Sequence, residues 1–466
     1  MSGRRRVAVV GGGVAGLAAA HRVLERGGGA VDVVLLEASE RLGGSVGTER
    51  ERGFTLERGA DAMLTAEKPW AAELCERVGL PLVGTREGER RTYVVHEGRL
   101  EPLPEGFLLL APTSLVPLVR SRIFSWPAKL RMALDLVLPR RAEDGDESLA
   151  SFVRRRLGHE ALERAAQPLA GGIYSGDPET LSLAATMPRF LEMERRHRSV
   201  ILGLRAAARQ AGTTRAAGAR YALFGAPAGG MGALVDTLTR RLPEGAVRLR
   251  APATELARDG RRWRLRAGGE ALDADAVIVA APAFAAAPLL GPLDATLGTM
   301  LSAIDYASTA IVTLAYRTAD LPPLAGFGFV VPAAAGSPLI ACTYSSRKFA
   351  DRAPEGHDVV RAFVGGALRP HALDQGDDAL VAGVRAAVRS LVGIAAEPLF
   401  VRVWRHPRAM PQYAVGHLDR VAALESRAAA LGGVVLAGAA YRGVGVPDCV
   451  RSGEAAADAA LARLLG

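Results

Sequence analysis

Short apolar runs of strand length recur along the chain, and at its two ends they run directly into glycine clusters. Arg5 to Val10 reads as a short buried strand, apolar from Val7 to Val10. It leads into Gly11-Gly12-Gly13-Val14-Ala15-Gly16 and an Ala-rich helical stretch, Leu17 to Arg26. A second apolar strand, Val31 to Leu36, ends at Glu37. Near the other end Gly433 to Leu436 reads as a strand. Ala437-Gly438 and Tyr441-Arg442-Gly443-Val444-Gly445-Val446 follow it.

The first cluster has GxGxxG spacing. Gly11 permits a tight strand-to-helix turn, Gly13 lets backbone approach a diphosphate, and Gly16 lets helix and strand pack closely. The diphosphate then sits on free N–H groups at the positive helix end. Glu37, with Ala38 after it, stands where an acidic side chain holds ribose hydroxyls; an Arg would argue for a 2′-phosphate. Arg41-Leu42-Gly43-Gly44, followed by Ser45 and closed by Thr48, forms a second glycine motif. Its backbone can pass under a flat ligand, and Arg41 can pair with the diphosphate. A dinucleotide that uses both ends of the chain, with this doublet, points to FAD rather than NAD.

Between these ends the pattern changes twice. Phe54–Glu57 is a strand, and the nucleotide-binding opening runs to about Val83. Thr92–Val95 is a strand before a Gly98 turn. Residues 105–200 read as mostly helical, with apolar Phe107–Leu110 and Leu115–Val119, then Ile123, Phe124 and Trp126. Pro127 opens a helix carrying Lys129 and Arg131. That mixture suits a membrane interface or a helical core with snorkelling cations. Residues 205–220, with Arg205, Arg209, Arg215 and Arg220 among Ala and Gly, read as a mobile insertion. Gly229-Gly230-Met231-Gly232 leads a helix, Ala233–Arg241. Strands at Val247–Leu249, Trp263–Arg266 and Ala276–Ala280 return to the nucleotide layer. Strands at 308–316, 327–331, Leu339–Tyr344 and Val359–Val364 predict a mixed sheet.

Composition narrows the class. The chain has 466 residues, 49% of them hydrophobic, enough for two or three packed domains. Cys75, Cys342 and Cys449 show neither metal nor disulfide spacing, and the eight histidines form no cluster. The N-terminus lacks the pattern of a signal peptide, and no run reaches the roughly 18 apolar residues of a membrane span. Net charge is +9, yet lysine occurs only at Lys68, Lys129 and Lys348. The arginine, alanine and glycine excess fits a GC-rich genome. It leaves room for acidic lipid or a polyanionic substrate and argues against nucleic acid.

The motifs closely resemble those of the oxygen-dependent protoporphyrinogen oxidase family over nearly the whole chain. Beyond the shared FAD motifs, the resemblance rests on Gly171-Gly172-Ile173-Tyr174-Ser175-Gly176-Asp177, Leu181-Ser182 and His197-Arg198-Ser199. It continues through Gly326-Phe327-Gly328-Phe329-Val330-Val331-Pro332 and Phe363-Val364-Gly365-Gly366 to Pro411-Gln412-Tyr413, Gly416-His417 and Tyr441–Cys449. It implies an α/β fold, α+β overall. A Rossmann-like FAD domain (1–85, 222–296, 404–466) would join a mixed-sheet substrate domain (86–104, 201–221, 297–403) and a helical membrane-binding subdomain (105–200).

The implied activity is oxidation of protoporphyrinogen IX to protoporphyrin IX in haem biosynthesis. FAD carries the chemistry, so no catalytic side chain is expected, and O2 is the acceptor, giving H2O2. The implied setting is cytoplasmic, peripheral on the inner face of the cell membrane, with a homodimer and hand-off to ferrochelatase as possible associations. The resemblance places Gly59, Ala60, Asp61, Ala253, Trp404, Gly438, Val444, Gly445 and Val446 on the cofactor. It places Gly172, Phe327, Val330, Thr343 and Phe363 on the substrate. Two features depart from it. Thr92 stands where many members carry a propionate-binding Arg, which leaves Arg91, beside Arg90, as a substitute anchor. Asp61 stands where plant and animal members have an Arg. Coproporphyrinogen III oxidation is the alternative within the family. An amine oxidase or polyene desaturase is an alternative on the same scaffold, although no lysine lies between Lys129 and Lys348 to sit at the flavin as in amine oxidases. A flavin-free relative of GDP-dissociation inhibitors is a non-enzyme alternative, against which the intact glycine motifs and Glu37 stand.

Overall fold

The computed structural model describes residues 4–86, 91–108, 110–142, 145–210 and 224–466. A five-stranded parallel sheet forms from segments far apart in the chain. Its order is Val247–Arg248, Val31–Leu36, Arg5–Val10, Ala276–Val279 and Val434–Leu436. The central positions of the strands are apolar because both faces are covered. Val7, Val9, Val33 and Leu35 pack with helices Val14–Gly27, Gly232–Arg240 and Val446–Leu465. Ala8, Val10, Val34 and Leu36 face a three-stranded meander that contains Trp263. The first and last helices meet closely: a Cβ at Gly453 would lie 2.1 Å from the Ala15 carbonyl oxygen.

The second sheet has seven strands. Their order is Phe400–Pro411, Tyr306–Arg317, His357–Gly365, Leu339–Tyr344, Gly328–Val330, Thr92–His96 and Arg99–Pro102. All pairs are antiparallel except Gly328–Val330 with Thr92–His96. Strand alternation sorts its side chains. Val312, Leu314, Phe329, Cys342, Tyr344, Val360 and Ala362 pack under helix Asp377–Val392. The opposite face looks towards the nucleotide layer and the helices. There Val330 and Ala341 join a core with Phe152, Leu169 and Phe190.

Two expectations change. Residues 205–210 belong to helix Val200–Gln210, whose Leu204 is buried; apolar spacing across Val200–Leu204 outweighs the alanine–arginine bias. Residues 211–220, with Arg215 and Arg220, lie outside the described set, as do Arg90 and Leu109. Trp404 lies inside the edge strand Phe400–Pro411, so the nucleotide layer resumes later, through helix His417–Ala430. Pro407 falls at a register shift, beside Arg408 at φ 44°, where an edge strand tolerates proline.

Candidate active site

Four strand ends meet at the carboxyl edge of the parallel sheet: Gly11, Glu37, Ala280 and Ala437. Gly11 takes φ +105°, and a Cβ there would lie 2.8 Å from the Ala280 carbonyl carbon. A Cβ at Gly16 would lie 1.8 Å from the Gly11 oxygen, whereas at Gly13 it would meet nothing within 4 Å. Backbone thus packs tightly against Gly11 and Gly16, while space above Gly13 stays open. The first-turn N–H groups of Val14, Ala15 and Gly16 have no intrahelical acceptor. Glu37 accepts from Gly12 N–H at 2.7 Å and Ser39 N–H at 2.8 Å, which fixes its carboxylate at this edge beside Ala38. Its carbonyl accepts the Ala251 N–H at 2.8 Å, placing Pro252 and Ala253 nearby.

The second glycine motif folds onto the first. Gly43 N–H donates to Gly12 O at 2.8 Å, and a Cβ at Gly44 would lie 3.5 Å from the Gly13 Cα. The Arg41 guanidinium donates to the carbonyls of Leu42, Gly44 and Val46, bracing this loop from within. Gly59 backs onto Ser45, whose carbonyl oxygen would lie 2.1 Å from a Cβ there. Arg361, on the seven-stranded sheet, donates to Glu57 O at 3.0 Å and Gly59 O at 2.6 Å. It thereby ties the Gly59-Ala60-Asp61 loop to that sheet. Asp61 accepts from Lys348 at 3.0 Å and lies 3.5 Å from Arg361. Burial alone would raise its pKa, but the two cations outweigh burial and hold it at about 2. Lys348 thus reaches the Gly59–Asp61 loop. Sequence reading missed this because α-helical Ser345–Lys348 is far from Asp61 in the chain.

The C-terminal glycines complete the edge. Gly438 N–H donates to Ser452 Oγ at 2.9 Å. Gly445 caps helix Val446–Leu465, whose first turn, preceded by Val444, again leaves N–H groups free. Asp448 in that turn accepts from Lys68 at 2.6 Å. Trp404 is buried with Phe54, Leu56 and Ile311, and its Nε1 donates to Glu49 at 3.4 Å.

Val330, Thr343 and Phe363 lie on neighbouring strands of the seven-stranded sheet, and Gly172, on helix Gln167–Tyr174, packs against Val330. Val330 pairs with Ala341, which pairs with Phe363; Thr343 pairs with Gly328 and Arg361. A Cβ at Gly172 would lie 3.6 Å from Val330 Cγ1. Phe363 touches both the helical core and the Trp404 cluster. Phe327 is buried just outside its strand and donates its N–H to Arg91 O at 3.2 Å; the Arg91 side chain is exposed. Two further residues were not foreseen. His406 Nε2 lies 2.7 Å from Arg58 O, and Tyr413 Oη contacts the loop before the last helix. Alternation with Trp404 would have found His406.

His417 is fully buried and contacts Tyr441 O at 2.8 Å; burial pushes its pKa down to about 4. The unfolded chain therefore binds a proton here at higher pH than the folded one. Stability attributable to this group is complete above about 6.5 and is lost as pH falls towards 4. Urea midpoints measured between these pH values should fall on acidification in the wild type, and His417→Gln should flatten that slope.

Two helix N-termini, an open glycine cradle and a fixed ribose-side carboxylate fit a dinucleotide diphosphate bound across the switch between strands Arg5–Val10 and Ala276–Val279. With the separate sheet over it, this site defines an FAD-dependent oxidoreductase. The sequence profile of flavin-containing amine oxidoreductases matches residues 14–461. The chain belongs to that family, within its porphyrinogen oxidase group. It is 35% identical to a coproporphyrinogen III oxidase of Bacillus subtilis, over 99% of both chains. It is 32% identical to the human protoporphyrinogen oxidase, over 97% of this chain and 98% of that one. A solved structure of a candidate protoporphyrinogen oxidase from Exiguobacterium covers 100% of both chains at TM-score 0.89 and 33% identity. Cyclohexylamine oxidase from Brevibacterium oxydans shares the fold at TM-score 0.73 and 16% identity. Among the described residues no metal-binding cluster occurs, and no helix is long and apolar enough to cross a membrane.

Proposed function

We propose that this enzyme oxidises a porphyrinogen, with coproporphyrinogen III the preferred substrate and O2 the acceptor. The observation that carries the porphyrinogen reading is the facing surface itself. Val330 and Phe363 offer apolar area beside the bare backbone of Gly172, as a bulky, largely apolar tetrapyrrole macrocycle needs. FAD supplies the hydride acceptor when bound. The chain's own work is to position and to exclude water: the sheet holds the macrocycle, and Arg361 keeps the Gly59–Asp61 loop in place. Free N–H groups at Val446 favour negative charge near the helix end. The preference for coproporphyrinogen is supported by the curated relatives at 35% and 37% identity, which are coproporphyrinogen III oxidases. Protoporphyrinogen IX is the second reading, supported by mammalian relatives at 32–33%. Mixing the anaerobic holoenzyme with each porphyrinogen tests both. Bleaching should be about tenfold more efficient with coproporphyrinogen, the worth of roughly one extra propionate contact. Faster bleaching by protoporphyrinogen would reverse the preference, and bleaching by neither would reject the porphyrinogen reading.

Residues 105–200 support docking on a membrane surface. Val116, Val119, Trp126, Leu130, Leu134 and Val137 are all exposed, Leu130 by 68% and Val137 by 69%. Lys129 turns inward, donating to Val119 O and lying 4.7 Å from the Trp126 ring centre. Arg120 and Arg122 flank the patch. Leu130→Glu with Val137→Glu should reduce sedimentation with anionic vesicles about a hundredfold, from about 1.5 kcal/mol of burial lost at each site. Unchanged sedimentation would remove the membrane reading and leave the oxidase reading intact.

A further inference from the structure

The segment Pro411–Tyr413, where the edge strand of the seven-stranded sheet ends, lies between the two halves of the site. Tyr413 is buried, and its Oη makes two hydrogen bonds to one loop. It donates to Ala439 O at 2.5 Å and accepts from Gly443 N–H at 2.8 Å. Its ring stacks on His417, centroids 3.9 Å apart and planes 14° from parallel. His417, through Nε2, holds Tyr441 O at 2.8 Å, as expected of a neutral imidazole with its proton on that nitrogen. Three main-chain groups of the five-residue stretch 439–443 are thus fixed by two stacked side chains. This stretch joins Gly438 to Gly445, and so it sets where the last helix presents its free N–H groups.

The same segment reaches the substrate side. Gln412 Nε2 donates to Tyr174 O at 3.2 Å, at the C-terminal end of the helix that carries Gly172. A Cβ at Gly176 would lie 2.7 Å from Gln412 Oε1. Tyr413 O accepts the Ser182 N–H at 2.7 Å, and Leu181 forms a bridge with Ala414. Ser175 O accepts from Ala367 N–H at 2.8 Å, which closes the turn onto the strand carrying Phe363.

We infer that Tyr413 is a positioning residue: its hydroxyl sets the 439–443 loop, and through it the helix end that faces the flavin, while Gln412 couples that loop to the turn beside Gly172. The inference rests on the assignment of FAD to the two helix ends, and not on which porphyrinogen is used. Tyr413→Phe removes both hydroxyl hydrogen bonds and keeps the stack on His417. The variant should bind FAD about tenfold more weakly, as expected for net loss of about two hydrogen bonds. Its flavin midpoint potential should also fall, because the helix N–H groups no longer point at the reduced ring.

FAD affinity is read by titrating apo-protein with FAD and following flavin fluorescence; the potential is read by dye equilibration. His417→Phe, which keeps a ring in the stack but loses the bond to Tyr441, should move both readouts the same way and serves if Tyr413→Phe does not fold. Gln412→Ala should raise the Michaelis constant for the porphyrinogen more than it changes FAD affinity. Wild-type FAD affinity and potential in a folded Tyr413→Phe or His417→Phe, with only the thermal midpoint lowered, would overturn the inference. Wild-type protein that binds no FAD would instead reject the underlying assignment.

Discussion

Gly16→Ala should purify as a colourless protein. The added Cβ would sit 1.8 Å from the Gly11 carbonyl oxygen and 3.0 Å from its carbon. Both neighbours are backbone, so no side chain can swing aside. The helix must retreat from the strand, and Val14, Ala15 and Gly16 N–H retreat with it. Overpacking of this kind costs about 3 kcal/mol, so FAD affinity should fall roughly a hundredfold or more. Absorbance at flavin wavelengths after purification, and apo-protein titration, check it. Gly13→Ala is the contrast. Its Cβ meets no protein atom within 4 Å, so any loss of affinity there reports the ligand's own approach.

Arg156→Met should produce the largest loss of stability. Arg156 is fully buried in the helical region. Its guanidinium donates to Asp135 Oδ1 at 2.7 Å, and to the carbonyls of Asp135, Pro139 and Arg198 at 2.8 Å each. Asp135 is equally buried and also accepts from Ser199 Oγ at 2.5 Å and Ile201 N–H at 3.0 Å. Removing one member leaves an uncompensated buried charge, which costs about 3–5 kcal/mol. A urea transition followed by tryptophan fluorescence should show the helical region unfolding earlier. Asp135→Asn together with Arg156→Met should recover part of that loss, because no lone charge remains. Leu134 and Val137, which flank Asp135, are exposed, so vesicle sedimentation should weaken in the single variant as well.

The parallel sheet was legible because its central strand positions are apolar on both faces and its first strand runs into the glycine cluster. Arg5–Val10 and Val31–Leu36 match in full. The edge strand Phe400–Pro411 was not, because three arginines, a histidine and Pro407 break up its apolar run. Thr48–Glu51 was missed as a strand because TERE has no apolar position; it forms only by pairing with Phe54–Glu57. Within the site, the glycines announced themselves through their spacing. Arg361 and Lys348 did not. Their roles come from meeting Gly59 O and Asp61 across 302 and 287 positions of chain, and nothing local in the sequence records such a meeting. The bonds of Arg41 to its own loop were likewise not legible, because they depend on how the two glycines bend the backbone.

The closure of the first helix by the last has a consequence for how the protein is made. Arg22 donates to Asp458, 436 positions later, and Gly453 seats against Ala15 beside it. At about 5–20 residues per second, a ribosome takes on the order of 20–90 s to join these partners. During that interval the glycine-rich turn lacks its covering helix and the sheet lacks its fifth strand. The nascent N-terminal half therefore waits with an apolar layer uncovered, a natural client for a holding chaperone. Flavin capture becomes a late, post-translational step whose yield tracks how long that half stays protected.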